Sequence, residues 1–301
     1  MKFPPALAYS LSLSIEFSRG SFQPKFIDTA NVYTRREAEG LDLYGKDFDK
    51  FEDGISEKLI GEWLFKNGCR KDFVIASKVG FAYPGIEIGT SRKQIIEECE
   101  KSLKRLKTDY IDVYYLHFDD KNTLLEESLS AMTDLVTAGK VRYIAISNFT
   151  FERTKEAVEI AKRIGGQNII AIQNKYSYLN ANPDADFGRQ VVMDADVLRY
   201  ARENEIGAIA YSPLLKGYYG NRKKTLDPKF SSSESDRRLA LLDRFASERG
   251  ITPSQAVYAW LLSHDPSVIP IVAISSSAQF LEALAATEIR FSKDDMKELS
   301  N

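Results

Sequence analysis

Ser102-Leu-Lys-Arg-Leu-Lys-Thr-Asp-Tyr-Ile-Asp-Val-Tyr-Tyr-Leu-His117 is the stretch whose reading decides the fold. Its first half completes an apolar stripe at Ile95, Cys99, Leu103 and Leu106, spaced three or four residues apart as on one face of a helix. Its second half, residues 111–116, is a short β-rich run that ends at a histidine. A helix feeding a strand is a piece of a βα repeat, and the same alternation continues on both sides. Further strands are predicted at residues 25–27, 73–77, 141–146, 169–172, 207–211 and 268–272. Between them, Leu125, Leu129, Met132 and Val136 mark one helix face, and Val257, Trp260 and Leu261 another. Ser91 is the expected N-cap of the helix through Cys99, and Gly139 the expected C-cap of the next. The strands read as continuous apolar runs, the pattern of strands covered on both faces. Seven such strands alternating with helices predict an α/β fold with a parallel barrel.

The rest of the composition agrees with one large core. The chain has 301 residues, 44% hydrophobic and 28% charged, which excludes a disulfide-stapled miniprotein or a disordered tail. No Pro/Gly/Ser-rich linker divides it, so residues 1–301 are expected to form a single domain. Its 41 basic and 43 acidic residues leave a formal charge of −2, without the one-sign field that nucleic acid or an anionic membrane demands. A small-molecule partner is the expectation. No apolar run reaches the roughly 18 residues of a membrane span. The mildly apolar start is interrupted by Pro4 and Pro5 and lacks a small-residue cleavage site, so a cytoplasmic location is expected. Cys69 and Cys99 form no C-x-x-C pair and fit a reducing compartment. Two charged, non-periodic stretches, residues 34–54 and 216–236, read as surface loops of the kind that also carry substrate contacts.

On a parallel barrel, chemistry gathers at the C-terminal ends of the strands. There stand Asp28, Tyr33, Lys78 and His117. Singly, each has a structural reading: Asp28 caps a turn, Tyr33 is one of 15 tyrosines, and Lys78 reaches solvent. Together on consecutive strand ends they make a coherent acid. A phenol, with a reference pKa of about 10, is too weak a proton donor near neutrality unless a cation favours its phenolate. A lysine held by a carboxylate is such a cation, and an imidazole can hydrogen-bond an oxygen on which charge develops. The set suits protonation of a carbonyl oxygen but has no electron pair for the carbon, so a hydride donor such as a nicotinamide is required. There is no G-x-G-x-x-G, Walker A loop, H-E-x-x-H or G-x-S-x-G, and two histidines with two scattered cysteines argue against a protein-built metal site.

These residues resemble the aldo-keto reductase family. Phe26-Ile-Asp-Thr-Ala-Asn-Val-Tyr33 is similar to its D-T-A-x-x-Y motif, Ser56-Glu57 with Ile60-Gly61 to the S-E-x-x-[IL]-G that follows, and Ala76-Ser-Lys-Val-Gly80 to its lysine strand. The opening stretch through His117 is close to the family's most specific signature. Gly139-Lys-Val-Arg-Tyr-Ile-Ala-Ile-Ser-Asn-Phe149, Gln173 and Tyr211-Ser-Pro-Leu214 follow in order. The resemblance implies a (β/α)8 TIM barrel that binds NADPH without a Rossmann domain and reduces aldehydes or ketones. It implies Tyr33 as general acid, Lys78 lowering its pKa, Asp28 holding Lys78, and His117 orienting the carbonyl. It further implies Ser147, Asn148 and Gln173 on the nicotinamide carboxamide, Tyr211 stacked on the ring, and Ser212 and Leu214 along the pyrophosphate.

The departures set further expectations. Thr34 and a charged insertion replace the family's Gly-rich turn. Where the family often reads P-x-P-G-[AT]-R, this chain reads Pro270-Ile-Val-Ala-Ile-Ser275-Ser276, with Ser275 in the place of the arginine that engages the adenosine phosphate. Gln279 keeps a polar group there, and Ala283 replaces an asparagine. NADPH is implied by the resemblance, and the lost arginine admits NADH. Leu11-Ser-Leu-Ser-Ile-Glu-Phe-Ser-Arg-Gly20 resembles the first barrel strand, yet only residues 21–25 separate it from the Asp28 strand. A parallel crossover needs a dozen or more residues, so the first βα unit is expected to lack its helix. The strand is then displaced, paired differently, or the barrel is incomplete. Two other readings stand beside the reductase: the abnormal first unit points to an NADP(H)-binding regulatory or catalytically impaired barrel, and the acidic loop residues Asp47, Asp49, Glu52 and Asp53 to a barrel hydrolase or isomerase acting on sugars. Phe118, Tyr218 and Tyr219 are the pocket candidates.

Overall fold

A computed structural model of the chain describes residues 12–14, 26–33 and 54–300. Eight strands close a barrel in sequence order: β1 (Ser12–Ser14), β2 (Phe26–Asp28), β3 (Val74–Val79), β4 (Ile111–Leu116), β5 (Val141–Ser147), β6 (Ile169–Lys175), β7 (Gly207–Tyr211) and β8 (Val268–Ala273). From β2 to β8 every neighbouring pair is parallel. β1 runs antiparallel to both of its neighbours, with Ser12 opposite Asp28 on one side and Ala273 on the other. Of the outcomes open for the short first unit, different pairing is the one found. An antiparallel strand can close the barrel without a helical crossover, because its connection can be short. Residues 15–25, between β1 and β2, where the first helix is expected to be lacking, lie outside the described residues, as do residues 34–53 with the four acidic groups of the sugar reading.

Helices cover the outside: α1 (Ile55–Asn67), α2 (Arg92–Leu106), α3 (Leu125–Thr137), α4 (Phe151–Arg163), α5 (Ala195–Glu203), α6 (Ser233–Glu248), α7 (Pro253–Leu262), α8 (Ser277–Ala286) and α9 (Lys293–Ser300). Ser91 caps α2 by accepting the Gln94 N–H, and Thr150, Asp194, Ser232, Thr252 and Ser276 do the same for α4 to α8. Gly139, at φ 72°, turns the chain from α3 into β5 and donates to the Val136 carbonyl at 2.9 Å. α7 is buried nearly all round, because α6, α8 and β8 enclose it, and so its apolar residues exceed the single face read from Val257, Trp260 and Leu261.

The strand period of two sorts the core into layers. Ile75, Tyr114, Leu116, Ile144, Ile146 and Ile172 point outward and join Leu64, Cys99, Leu103 and Met132 in one large cluster. Ala76, Val113, Tyr115, Ala145, Ala171, Ile209 and Ile271 fill the barrel interior. Two residues further along their strands, in the same inward phase, come Lys78, His117, Ser147, Gln173 and Tyr211; Asp28 pairs in register with Ala76. The packed floor thus sets the height of the chemistry.

Residues 216–236, expected as a surface loop, are partly built in. Short 3-10 turns occupy Leu215–Gly217 and Pro228–Phe230, and Phe230 and Tyr219 are buried. The Tyr219 hydroxyl accepts the Leu179 N–H at 2.9 Å and lies 2.8 Å from Ser177 Oγ. Tyr219 is therefore a core residue rather than a pocket wall. Cys69 and Cys99 are buried and unbonded. Among the described residues, no helix is long and apolar enough to cross a membrane.

Candidate active site

The loop after β2 carries Tyr33 and is fixed on several sides. Thr29 N–H donates to the Ala76 carbonyl at 2.9 Å, and the Tyr33 carbonyl accepts from Ser56 N–H at the start of α1, 3.1 Å away. Thr29 Oγ1 donates to Ser56 Oγ at 2.8 Å, and Asn31 Nδ2 donates to the buried Glu98 carboxylate of α2 at 2.9 Å. Tyr83 and Lys101 also donate to Glu98. A phenol on a loop is thereby held by two helices and a strand.

Lys78 is wholly buried. Its Nζ lies 2.6 Å from Asp28 Oδ2, donates to the Thr29 carbonyl at 2.8 Å, and hydrogen-bonds the Tyr33 side chain. Burial by itself disfavours the ammonium, but the charge of Asp28 and the hydrogen bonds to Asp28 and Tyr33 outweigh it, so Lys78 titrates above the ordinary lysine value. Gln173 Nε2 donates to the other Asp28 oxygen at 3.1 Å. Beneath, the Tyr115 ring centre is 5.6 Å from the ammonium.

His117 stands next to them, its ring centre 5.9 Å from that of Tyr33 and 4.6 Å from Phe81, edge to face. Burial, and then the charge of Lys78, hold the imidazole well below its usual pKa, so it is neutral. Its Nδ1 is buried and has no partner among the described residues. Phe118 packs on Phe81 with centres 5.1 Å apart, over Gly80, where a Cβ would come within 2.9 Å of the Phe118 ring and φ is 138°. The Arg189 guanidinium lies 5.3 Å from the Phe118 ring centre. Phe81 and Arg189 escaped the sequence reading, because neither belongs to a motif and only the fold brings them to His117 and Phe118.

Across the mouth, Ser147 Oγ donates to the Gln173 carbonyl at 2.8 Å. Asn148, at φ 59°, donates through Nδ2 to the His117 carbonyl and Ser147 Oγ, and its Oδ1 accepts from Tyr211 Oη at 2.7 Å and Val191 N–H at 3.1 Å. All four bonds of its amide are used, so Asn148 braces the ends of β4, β5 and β7 rather than offering a free donor. Ser147 and Gln173 line the same spot, and the half-buried Tyr211 ring is tethered to Asn148 through its hydroxyl. Such a polar pair beside a fixed aromatic ring suits a flat heteroaromatic amide. Ser212, at φ 55°, is exposed, and Leu214 packs partly into the core. Ser275, Ser276 and Gln279 form a separate group at the start of α8: Gln279 Oε1 accepts from Ser275 N–H and Oγ at 2.7 and 2.9 Å, and Ser276 caps the helix. Among the described residues no group of His, Cys, Asp and Glu could hold a metal ion.

Asp28, Lys78 and His117 thus stand at the ends of three consecutive parallel strands, β2 to β4, with Tyr33 on the loop after β2. The model of the "Aldo/keto reductase family" matches residues 19–301, and the chain belongs to that family of NAD(P)H-dependent oxidoreductases. It is 28% identical to L-glyceraldehyde 3-phosphate reductase of Escherichia coli (strain K12), covering 82% of this chain and 75% of the relative. It is 26% identical to aldo-keto reductase yakc [NADP(+)] of Schizosaccharomyces pombe, covering 83% and 75%. The crystal structure of the thermostable aldo-keto reductase Tm1743 with the inhibitor epalrestat matches at a TM-score of 0.64 and 31% identity, over 82% of this chain and 77% of that one.

Proposed function

We propose that this protein reduces the carbonyl group of a small aldehyde or ketone with NADPH, accepting NADH as well, and that Tyr33 is the general acid. The observation that carries this reading is the buried Asp28–Lys78 pair hydrogen-bonded to the Tyr33 side chain. The nicotinamide, when bound, supplies a hydride to the carbonyl carbon. Tyr33 gives its hydroxyl proton to the carbonyl oxygen as negative charge develops there. Lys78 favours the resulting phenolate, and Asp28 keeps Lys78 charged and aimed. His117, neutral in its buried position, orients the carbonyl. Phe81 and Phe118 give the pocket apolar walls that exclude water. Ser147 and Gln173 would hold the carboxamide, with Asn148 bracing them, and Tyr211 would stack on the ring. Ser212 and Leu214 would hold the diphosphate, and Ser275, Ser276 and Gln279 the adenosine end. The relative named for NADP(+) supports NADPH as the reductant.

Loss of NADPH absorbance with a panel of aromatic aldehydes and small dicarbonyls tests this reading. Turnover is expected; a folded protein that turns over none of them would sink it. The antiparallel course of β1 favours a second reading, a barrel that binds NADP(H) and turns over little. Cofactor fluorescence quenching without turnover across the panel separates the two.

A further inference from the structure

The end of β6 carries a cation without an ion pair among the described residues. Lys175 follows Gln173 by two residues, in the same inward phase of the strand. Its ammonium sits, half-buried, 5.3 Å from the ring centre of Phe187, 5.7 Å from Tyr211 and 6.0 Å from Phe230. Other cations of the rim have partners: Lys78 has Asp28, and Arg153 has Asp119. Among the described residues Lys175 has neither a hydrogen bond nor an ion pair through its side chain. Lys229 shares the Phe187 ring, its Nζ 4.9 Å from the centre, and Lys216 also acts on Lys175 by charge. Among the described residues, the carboxylate that acts on Lys175 by charge is Asp227, whose Oδ1 accepts the Lys229 N–H at 3.0 Å. Burial holds Lys175 below the ordinary lysine value, and the two like charges add to this against Asp227.

A desolvated ammonium with like neighbours is unfavourable by itself and favourable once a multiply charged anion enters. Position selects the anion. Tyr33, Phe81, His117 and Phe118 gather over β2 to β4, whereas Lys175 lies beside Tyr211 at the ends of β6 and β7. Lys216 lies in the turn that follows Tyr211, Ser212 and Leu214. We propose that Lys175, assisted by Lys216 and Lys229, binds the diphosphate of the nicotinamide dinucleotide, an inference that rests on the dinucleotide reading above. Phosphate recognition is then centred on a group that NADPH and NADH share. At the α8 end, by contrast, Ser275 and Gln279 bond to each other and bring no cation.

Lys175→Met keeps the aliphatic stem among the rings and removes the charge, and circular dichroism and thermal melting check that it folds. Titrations of wild type and Lys175→Met with NADPH and NADH, followed by fluorescence, read the site without turnover. Both cofactors are expected to bind about 10-fold or more weakly to the variant, by similar factors, as suits the loss of a charged hydrogen-bond donor. Lys229→Met is expected to weaken both by a smaller factor. Binding of both cofactors to folded Lys175→Met at wild-type affinity would overturn the proposal, as would a loss confined to NADPH. Calorimetry with inorganic pyrophosphate separates this proposal from the dinucleotide reading. If wild type binds neither dinucleotide, that reading fails; pyrophosphate binding that Lys175→Met loses still supports the phosphate site, and no pyrophosphate binding ends it.

Discussion

Asp28 Oδ2 and Lys78 Nζ meet at 2.6 Å, on side chains that are 1% and 0% exposed. A buried ion pair contributes little to stability relative to an apolar pair, yet breaking it on one side is costly. Lys78→Met is therefore expected to destabilise the fold by about 3 kcal/mol, by leaving the Asp28 carboxylate buried with Gln173 as its side-chain donor among the described residues. The double variant Lys78→Met, Asp28→Leu should regain much of that loss in urea unfolding while remaining inactive. Recovery of activity in the double variant would show that the pair serves the fold alone.

Tyr33→Phe tests the proton donor. Carbonyl reduction should fall by about 10²- to 10⁴-fold, the usual contribution of a general acid, with NADPH affinity within about twofold of wild type. Undiminished turnover would remove Tyr33 from the chemistry.

His117 makes stability depend on pH. Its folded pKa is depressed by burial and by Lys78, so the unfolded chain binds the proton more readily. The stabilisation is complete above the unfolded value of about 6.5 and is lost as pH falls below it. His264, also held low by burial, adds to the same slope. In His117→Gln, the loss of unfolding free energy between neutral and mildly acidic pH should be smaller than in wild type, with the remainder owed to His264. An unchanged slope would mean that His117 carries the same charge folded and unfolded.

Gly61 joins α1 to α2 without room for a side chain. A Cβ there would lie 2.3 Å from the Arg105 carbonyl oxygen and 2.6 Å from the Leu106 carbonyl carbon, both backbone atoms. Gly61→Ala should cost about 1–3 kcal/mol through overpacking, despite alanine's better helix propensity, and this is readable in thermal or urea unfolding. A stabilised variant would show that the two helices move apart freely.

Much of the scaffold was legible in the chain. The strands from residue 25 onward were found within a few residues, because buried parallel strands are short apolar runs and their caps are local. β3, β5, β6 and β8 extend past the expected ends, since their last residues, Lys78, Ser147, Gln173 and Ala273 among them, are polar or small and look like loop. Tyr219 was misread as a pocket residue because burial of a tyrosine in a polar stretch depends on partners that are distant in sequence: Ser177 and the Leu179 N–H.

Local spacing alone determined the βα alternation, and hence which residue types stand at the barrel's C-terminal ends, since the helical period is a property of the backbone. Tertiary structure decided the rest. It set β1 antiparallel between β8 and β2, which no local pattern specifies because strand direction is fixed by the neighbours. It brought Asp28, Lys78, Tyr33, His117 and Phe81 within reach of one another from three strands and their loops. It also set the Lys175 ammonium among three rings, without an ion pair among the described residues, and burial and pairing are set only when distant segments pack.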